Sequence, residues 1–368
     1  MNWKVNYHKR VYGLDVYRAV AILIVVQSHS AFMLEGTLLE GFPWISLTDG
    51  VELFFVLSGF LIGSILLKII EQNNYSLSFP LLFAFWKRRW FRTLPNYYLI
   101  LVIYTVFVSQ GLVDADINQF DYTFFLFLQN FASPFYDFFW ESWSLSVEEW
   151  FYIITPLLLL IILKIAPNRN GILSVILLLI LAPLIYRISA SDINVDQFWW
   201  DVSFRKVVIM RLDTVIYGVL AAYIKFYHAS FWKKITIPAF IIGLAGILLL
   251  PYFPTDSNAF FTKTFYFSLI SIAAMLLLPF ADRVKNFKTR FGKWMTHISL
   301  ISYSMYLINL GLGISIIEAN FPIENPTDGW IKYLLFWVYV IATSTFLYFK
   351  FELPIMSLRD RSYRNLFK

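Results

Sequence analysis

Long apolar runs recur along the whole of this chain and constrain its fold more than any other feature. The runs are roughly 17–22 residues long, so each is sufficient for a helix to cross the ~30 Å hydrocarbon core of a bilayer. Hydrophobic residues make up 59% of the 368 residues, and the mean hydropathy is +0.64. A soluble domain of this size does not have such a composition. We therefore predict an all-α fold, a polytopic bundle of membrane-spanning helices in which residues 1–368 form a single transmembrane domain.

Charged residues between the apolar runs alternate in sign along the chain. Basic stretches such as 87–92 and 283–293 alternate with acidic stretches such as 35–49 and 114–121. Because cytoplasmic loops are enriched in Lys and Arg, this pattern predicts about ten crossings with both termini in the cytoplasm. The apolar stretch 122–131 is short, and a full crossing there would place Lys164 and Arg169 outside. We therefore predict a short or re-entrant helix there, buried in protein. The formal net charge of +6 is interpreted as this loop bias, not as a nucleic-acid-binding patch.

Several classes of function are disfavoured by residue types and motifs that the sequence lacks. The chain has no cysteine and four scattered histidines, so we expect no disulfide, no thiol nucleophile and no metal site. It has no G-x-x-x-x-G-K-[ST] loop, which argues against ATP-driven transport within this chain. The first apolar run contains Asp15 and Arg18 and is not followed by a small-residue cleavage site. We therefore expect a membrane span there and not a cleaved signal peptide.

Two ionisable residues interrupt the first predicted span, "LDVYRAVAILIVVQSHS" (14–30). Arg18 and His29 are eleven positions apart, which at ~100° and ~1.5 Å per residue places them on nearly one face, ~16 Å apart along the axis. Ionisable groups inside a span are costly and usually mark function. The alternative is an arginine that reaches the interface, together with a hydrogen-bonded core histidine. We predict a fixed cation near the cytoplasm and a titratable base near the outer surface.

A pair of carboxylates occurs in "WESWSLSVEEWFY" (140–152). Glu148 and Glu149 are predicted to open an inward-running helix over 147–164, at a depth similar to that of His29. Adjacent helical residues point ~100° apart, so one carboxylate can face the interior of the bundle. A carboxylate next to a histidine fixes its tautomer and makes it a general base. Stabilisation of the helix N-terminus is the alternative role.

Two further clusters of charge lie at or within predicted spans. "FWKRRWFRTLP" (85–95) holds Arg88, Arg89 and Arg92 at the cytoplasmic mouth of the third span. Arginine forks suit phosphate, so a phosphorylated cytoplasmic ligand is one interpretation, and positive-inside bias is the other. "MRLDTVIYG" (210–218) places Arg211 and Asp213 within a span. A structural ion pair and a site role are both open for these two residues.

The ordered set of motifs resembles the signature of the acyltransferase-3 family of integral-membrane O-acyltransferases, of the type that O-acetylates surface glycans. The motifs that carry the likeness are "LDVYRAVAILIVVQSH", "DGVELFFVLSGFLIG", "WKRRWFRTLPNYY", "WSLSVEEWFY", "MRLDTVIYG", "ISYSMYLINL" and "FELPIMSLRDR". The family's Arg and His, separated by ten residues, fall on Arg18 and His29. Its Ser-Leu-Ser-Val-Glu carboxylate falls on Glu148, which we expect to orient His29 as a general base. A departure occurs at Asn309, where relatives often have His.

This resemblance implies a ten-span protein that moves an acyl group, usually acetyl, from cytoplasmic acetyl-CoA to a sugar hydroxyl outside the cell. It implies a multi-pass protein of the bacterial plasma membrane, with a carbohydrate acceptor, an acyl-CoA donor and glycan-biosynthesis proteins as candidate partners. Some relatives carry a fused extracellular esterase-like domain; none is evident in this sequence, so we expect the stand-alone membrane form. The topology and the resemblance together imply residue roles, which we state as expectations. The catalytic residues are His29, Glu148 and Glu149, and the donor-binding residues are Arg18, Arg88, Arg89 and Arg92. The substrate-binding residues are Asp15, Glu52, Arg211, Asp213 and Tyr303, and the oxyanion is stabilised by Ser142, Ser144 and Ser146 or by Tyr303.

An alternative function is the export or flipping of a polysaccharide or a lipid-linked sugar without any acyl-transfer chemistry. Such a transporter would use Arg18, Arg211 and Glu148 as a substrate path. Secondary transporters tend to show internal repeats and broken helices in matched halves, and neither is evident in this sequence. A third possibility, a non-catalytic scaffold for glycan synthesis, would not explain why the predicted helices carry polar faces. The acceptor, and the choice between direct transfer and a brief acyl-enzyme, remain open at the level of sequence.

Overall fold

The computed structural model describes residues 10–38, 40, 50–253, 256–285, 289–321 and 326–358. Most of these residues are helical. Both predicted cytoplasmic termini lie largely outside the described residues, as does Asp49. The α-helices, in chain order, are α1 (Tyr12–Ser30), α2 (Gly50–Gln72), α3 (Phe79–Ser109), α4 (Thr123–Leu126), α5 (Ser142–Ile165), α6 (Arg169–Ser189), α7 (Gln197–Trp200), α8 (Val208–Tyr227), α9 (Ala229–Lys234), α10 (Thr236–Leu249), α11 (Phe260–Lys263), α12 (Phe265–Arg283), α13 (Arg290–Ile308), α14 (Ser315–Asn320) and α15 (Pro326–Leu347).

Eight helices of the described chain are long and apolar enough to cross a membrane. They are α1, α2, α3, α5, α6 and α12, with α13 and α15 each extended by the helical residues that follow it. A ninth span is formed if the segment Gln197–Arg205 and α8, which are bent by 63°, are counted together. A shorter apolar helix covers Thr236–Tyr252. The polytopic all-α bundle is therefore confirmed, and the full count of ten crossings stays a prediction.

The structure differs from the sequence-based predictions in the region before α5. The stretch 122–131 contains only the single turn α4, which ends at Phe127 in a left-handed conformation with φ of 57°. Helix α5 begins at Ser142, one and a half turns earlier than predicted. In the added first turns, Gln129 donates hydrogen bonds to the buried hydroxyls of Ser142 and Ser146 (3.1 and 2.8 Å). Glu148 and Glu149 thus lie well inside the helix, so a role at its N-terminus is ruled out.

Helices α2 and α8 cross with their backbones in contact at two glycines. A Cβ atom on Gly59 would lie 1.8 Å from the carbonyl oxygen of Val215, and a Cβ on Gly218 would lie 2.0 Å from that of Val56. Small residues at such crossings let membrane helices approach closely and gain dispersion contacts, since lipid supplies no hydrophobic drive for helix association. This crossing fixes the position of α2, which forms one wall of the cavity described below.

Two fully buried ion pairs hold α8 in the bundle. The carboxylate of Asp213 accepts from both terminal nitrogens of Arg187 in α6 (3.0 and 2.7 Å). Arg211 pairs with Glu52 in α2 (2.5 Å). The two α8 residues do not pair with each other, because residues two apart point ~200° apart around a helix. These two ion pairs join α8 to α6 and to α2. The structure therefore gives Glu52, Arg211 and Asp213 a structural role, and the prediction that they bind substrate is not supported.

Asp15 also has structural partners. Its carboxylate accepts from Arg10 Nε at 2.8 Å and from Ser299 Oγ at 3.1 Å, and the bond to Ser299 joins α1 to α13. A carboxylate buried in a span requires partners of this kind. The prediction that Asp15 binds substrate is therefore not supported by its surroundings either.

We expect Gly59→Leu to destabilise the fold, because the new side chain has to displace the backbone of α8. Overpacking of this kind costs about 1–3 kcal/mol or more. The measurement is the thermal unfolding midpoint of the purified protein in detergent. Ala342→Leu is the matched control, since Ala342 is exposed on α15. Equal midpoints for the two variants would contradict the close crossing of α2 and α8.

We expect Asp213→Asn to be more destabilising than a charge deletion at the surface. The substitution leaves Arg187 buried without its counter-charge, which costs about 3–5 kcal/mol. The control is Asp282→Asn, because the charged partner of Asp282 is Lys225, whose side chain is 41% exposed and can be solvated. The free energies of unfolding of both variants, measured in the same detergent, test this. A loss for Asp213→Asn no larger than that for Asp282→Asn would refute a stabilising role of the pair.

Candidate active site

A cavity lies among helices α1, α2, α3, α5 and α13, and it contains about 840 Å³ of empty space, including space open to the surroundings. Its apolar wall comes mainly from α2, with Phe54, Phe55 and Leu61 among the contributing side chains. Its polar lining comes from the other helices and from one serine of α2. The polar residues are Arg18, Ser58, Arg89, Arg92, Thr93, Ser144, Glu148, Tyr152, Ser302, Tyr303 and Tyr306.

Three arginines from two helices line this cavity. Arg89 and Arg92 are three positions apart on α3, so they share one face of that helix. Arg18 comes from α1 and belongs to the same lining. Arg88, which points about 100° away from Arg89, is exposed and is not part of the lining. The structure thus brings together three of the four predicted donor-binding arginines and separates Arg88 from them.

Glu148 is the carboxylate of the cavity. Tyr152 Oη donates to Glu148 Oε2 at 3.0 Å, and Ser58 Oγ lies 3.0 Å from the same phenol oxygen. Arg18 and Arg92 are close enough to act on Glu148 electrostatically. The carboxylate therefore lines the cavity near two cations, where it offsets part of their positive charge.

Glu149 faces away from the cavity, towards α3. Thr93 Oγ1 donates to Glu149 Oε1 at 2.7 Å, and the backbone carbonyl of Thr93 accepts from the hydroxyl of Tyr303, also at 2.7 Å. The two adjacent glutamates diverge as a helix requires. Glu149 joins α5 to α3, and Tyr303 joins α13 to α3 while its ring lines the cavity.

One of the three predicted serines reaches the cavity. Ser144 donates to the hydroxyl of Tyr306 at 2.6 Å, and that hydroxyl donates to the backbone carbonyl of Glu141 at 3.1 Å. Ser142 and Ser146 are occupied by Gln129 instead. Ser144 lies in the first turn of α5, and Tyr306 lies near the end of α13. These two residues therefore mark the end of the cavity that topology predicts to be the outer one.

His29 lies near that end and has an amide as its partner. The ring nitrogen Nδ1 of His29 is 2.5 Å from Asn309 Oδ1. Asn309 follows Tyr306 by one helical turn, and its own amide nitrogen donates to the carbonyl of Tyr306 at 2.7 Å. The prediction that Glu148 orients His29 is therefore wrong: Glu148 accepts from Tyr152, and His29 contacts Asn309. Helix α5 begins early, so Glu148 lies deeper in the bundle than the sequence predicted.

Sequence reasoning missed Ser58, Thr93, Tyr152 and Tyr306. All four occur in the motif segments singled out above, yet hydroxyl residues are common in spans and carry no distinctive spacing. Asn309 was noticed only as a departure from the family pattern. Its contact with His29 links residues 280 positions apart, which no local pattern reveals.

Comparisons with known proteins agree with the motifs. Residues 11–349 match the family described as "Acyltransferase domain". YrhL of Bacillus subtilis, which is named provisionally as a peptidoglycan O-acetyltransferase, is 36% identical over 194 residues, 49% of this chain and 28% of its own. The peptidoglycan O-acetyltransferase OatA of Listeria monocytogenes is 35% identical over 182 residues, 46% of this chain and 27% of its own.

A longer alignment is found with the O-acetyltransferase OatA of Staphylococcus aureus, at 27% identity over 318 residues, 80% of this chain and 49% of its own. The chain thus spans half or less of the length of these relatives. No solved structure matches the chain significantly. The family match covers every helix that lines the cavity, and the chain belongs to the acyltransferase-3 family of membrane proteins.

Proposed function

We propose that this chain is an O-acyltransferase of the bacterial plasma membrane. It moves an acetyl group from cytoplasmic acetyl-CoA to a hydroxyl of a carbohydrate outside the membrane, such as a cell-surface polysaccharide. The observation that carries the proposal is the cavity itself. It connects arginines on the side predicted to be cytoplasmic with Tyr306, which is one helical turn from the partner of His29.

The arginine end of the cavity suits the phosphates of CoA. Arg89 and Arg92 lie where α3 carries its dense basic stretch, and guanidinium groups bind phosphate through paired hydrogen bonds. The separation of Arg18 and His29 on α1 is ~16 Å along the helix axis. A pantetheine arm has a comparable reach, so the thioester can approach His29 while the nucleotide stays in the cytoplasm.

His29 is assigned the role of general base. It takes the proton of the acceptor hydroxyl as that oxygen bonds to the thioester carbonyl carbon. The carbon–sulfur bond then breaks, CoA leaves as a thiolate, and the proton held by His29 neutralises that thiolate. The hydroxyls of Ser144 and Tyr306 line the cavity nearby and are assigned to the developing oxyanion. Glu148 is assigned to balancing and positioning Arg18 and Arg92 around the donor.

The relatives support a carbohydrate acceptor of the cell envelope, since two of them bear peptidoglycan O-acetyltransferase names. For this chain, the acceptor class is a proposal that rests on that similarity. Partner proteins of glycan biosynthesis would bring the acceptor to the outer end of the cavity.

We expect His29→Ala to lower acetyl transfer about 10²–10⁴-fold, because a general base contributes by that factor. The purified protein, in a lipid nanodisc, is incubated with radiolabelled acetyl-CoA and a muropeptide or oligosaccharide acceptor, and the label in the glycan is counted. His297→Ala is the control, since His297 is half-buried and bonds Thr345 away from the cavity. If the wild-type protein does not react with acetyl-CoA, the alternative function as a transporter is favoured. If the His29→Ala variant is fully active, His29 is not the general base.

We expect Arg89→Ala and Arg92→Ala each to weaken acetyl-CoA binding about 10–100-fold, the cost of a lost hydrogen bond to a charged group. The dissociation constant is measured by calorimetry or by protection against thermal unfolding. Arg88→Ala is the matched control, because it removes the same charge from the same helix outside the cavity lining. Equal losses for all three variants would indicate general attraction to the basic surface and not a phosphate site.

A further inference from the structure

The side chain of Asn309 is held in one orientation by its own helix. Its amide nitrogen Nδ2 donates to the carbonyls of Met305 and Tyr306, at 2.9 and 2.7 Å. A carbonyl oxygen accepts hydrogen bonds and cannot donate, so only the NH₂ group can occupy this side of the amide. The opposite atom, Oδ1, is therefore the one directed at His29.

This orientation determines where His29 carries its proton. Oδ1 of Asn309 is a pure acceptor, and it lies 2.5 Å from Nδ1 of His29. A hydrogen bond at this distance requires the proton on Nδ1. In the neutral ring, the lone pair is then on Nε2, and Nε2 is the nitrogen available to remove a proton.

The turn that carries Asn309 is fixed from a second direction. Asn309 is the first residue of a π-helical turn, Asn309–Ile314, which follows α13. The backbone N–H of Gly311 in that turn donates to Oε1 of Glu141 at 2.6 Å, and Glu141 is buried. Such π turns are rare and occur frequently at functional sites. Glu141, which precedes α5, thus helps to fix the turn whose first residue, Asn309, contacts His29.

Two cations from the segment before α8 lie near His29. Arg205 and Lys206 are close enough to act on His29 electrostatically. Both also pair with Asp201, at 3.0 and 2.5 Å, which offsets part of their charge. An amide partner orients the imidazole without adding a negative charge to this arrangement.

We propose that Asn309 is a positioning residue, which fixes the Nδ1–H tautomer of His29 and leaves Nε2 as the base. This proposal rests on the assignment of His29 as the base in the proposed function. When Nε2 takes the proton, the ring becomes an imidazolium, and the bond from Nδ1–H to Asn309 becomes charge-assisted and stronger. Asn309 thereby stabilises the transition state more than the resting enzyme.

The first experiment reads the tautomer directly. The full chain is labelled with ¹⁵N-histidine in lipid nanodiscs, and His29 is assigned by comparison with His29→Ala. We expect a protonated Nδ1 and an unprotonated Nε2 in the wild type, and a mixture of both tautomers in Asn309→Leu. A wild-type His29 protonated on Nε2 would overturn the proposal. This readout does not depend on activity, so it separates failure of this inference from failure of the proposed transferase function.

The second experiment is kinetic. We expect Asn309→Leu to lower kcat for acetyl transfer about 10–100-fold, the effect of losing one hydrogen bond to a charged group, with little change in KM for acetyl-CoA. Asn320→Leu is the matched control, because Asn320 is exposed and also bonds the carbonyl four residues before it, at 2.7 Å. An unchanged kcat in Asn309→Leu would overturn the proposal.

The conservative variant Asn309→Asp distinguishes positioning from a merely structural role. It loses the two bonds that Nδ2 donates to the carbonyls of Met305 and Tyr306, as Asn309→Leu also does, but it keeps an oxygen acceptor for Nδ1–H. We therefore expect more activity than in Asn309→Leu. Its negative charge favours the imidazolium, so the acidic limb of the kcat profile should move to higher pH. A lower kcat with an unshifted pH profile in Asn309→Asp, equal to that of Asn309→Leu, would indicate a structural role only and reject the proposal.

Discussion

The cost of holding charge inside a bilayer organises this structure. A charged group in a low-dielectric interior needs a counter-charge or several hydrogen bonds, or its burial opposes folding. Asp213 and Arg187 meet this need as a two-bond pair between α8 and α6, and Arg211 meets it with Glu52 of α2. Because such pairs act only at one register, they determine how α8 sits against its neighbours. The close crossing at Gly59 then sets the distance between α2 and α8.

The cavity differs from these ion pairs because its charges do not balance. Arg18, Arg89 and Arg92 line it together with a single carboxylate, that of Glu148. A concentration of positive charge in a partly enclosed space is a site for an anion. It is consistent with a phosphorylated donor that approaches from the side where α3 carries its basic stretch. The apolar wall from α2 then suits the uncharged remainder of such a donor.

The two ends of α1 lie in different surroundings. Arg18 belongs to the cavity lining, and His29 belongs to a small hydrogen-bonded unit with Asn309 at the other end of the helix. The early start of α5 draws Glu148 towards the arginines, so the histidine is partnered by an uncharged amide. A neutral partner orients the imidazole ring of His29 and adds no negative charge that would favour its protonated form.

The sequence by itself determined the class of the fold, the presence of many membrane-spanning helices and the family, because apolar length and ordered motifs are local properties that do not depend on packing. It also identified Arg18 and His29 as functional candidates through their helical spacing. It could not assign partners. The pairing of Arg211 with Glu52, the split between Arg88 and Arg89, and the contact of His29 with Asn309 depend on which helices are neighbours and at what rotation. Side chains that are distant in sequence come into contact only when the helices have packed, so these contacts are determined by the tertiary structure.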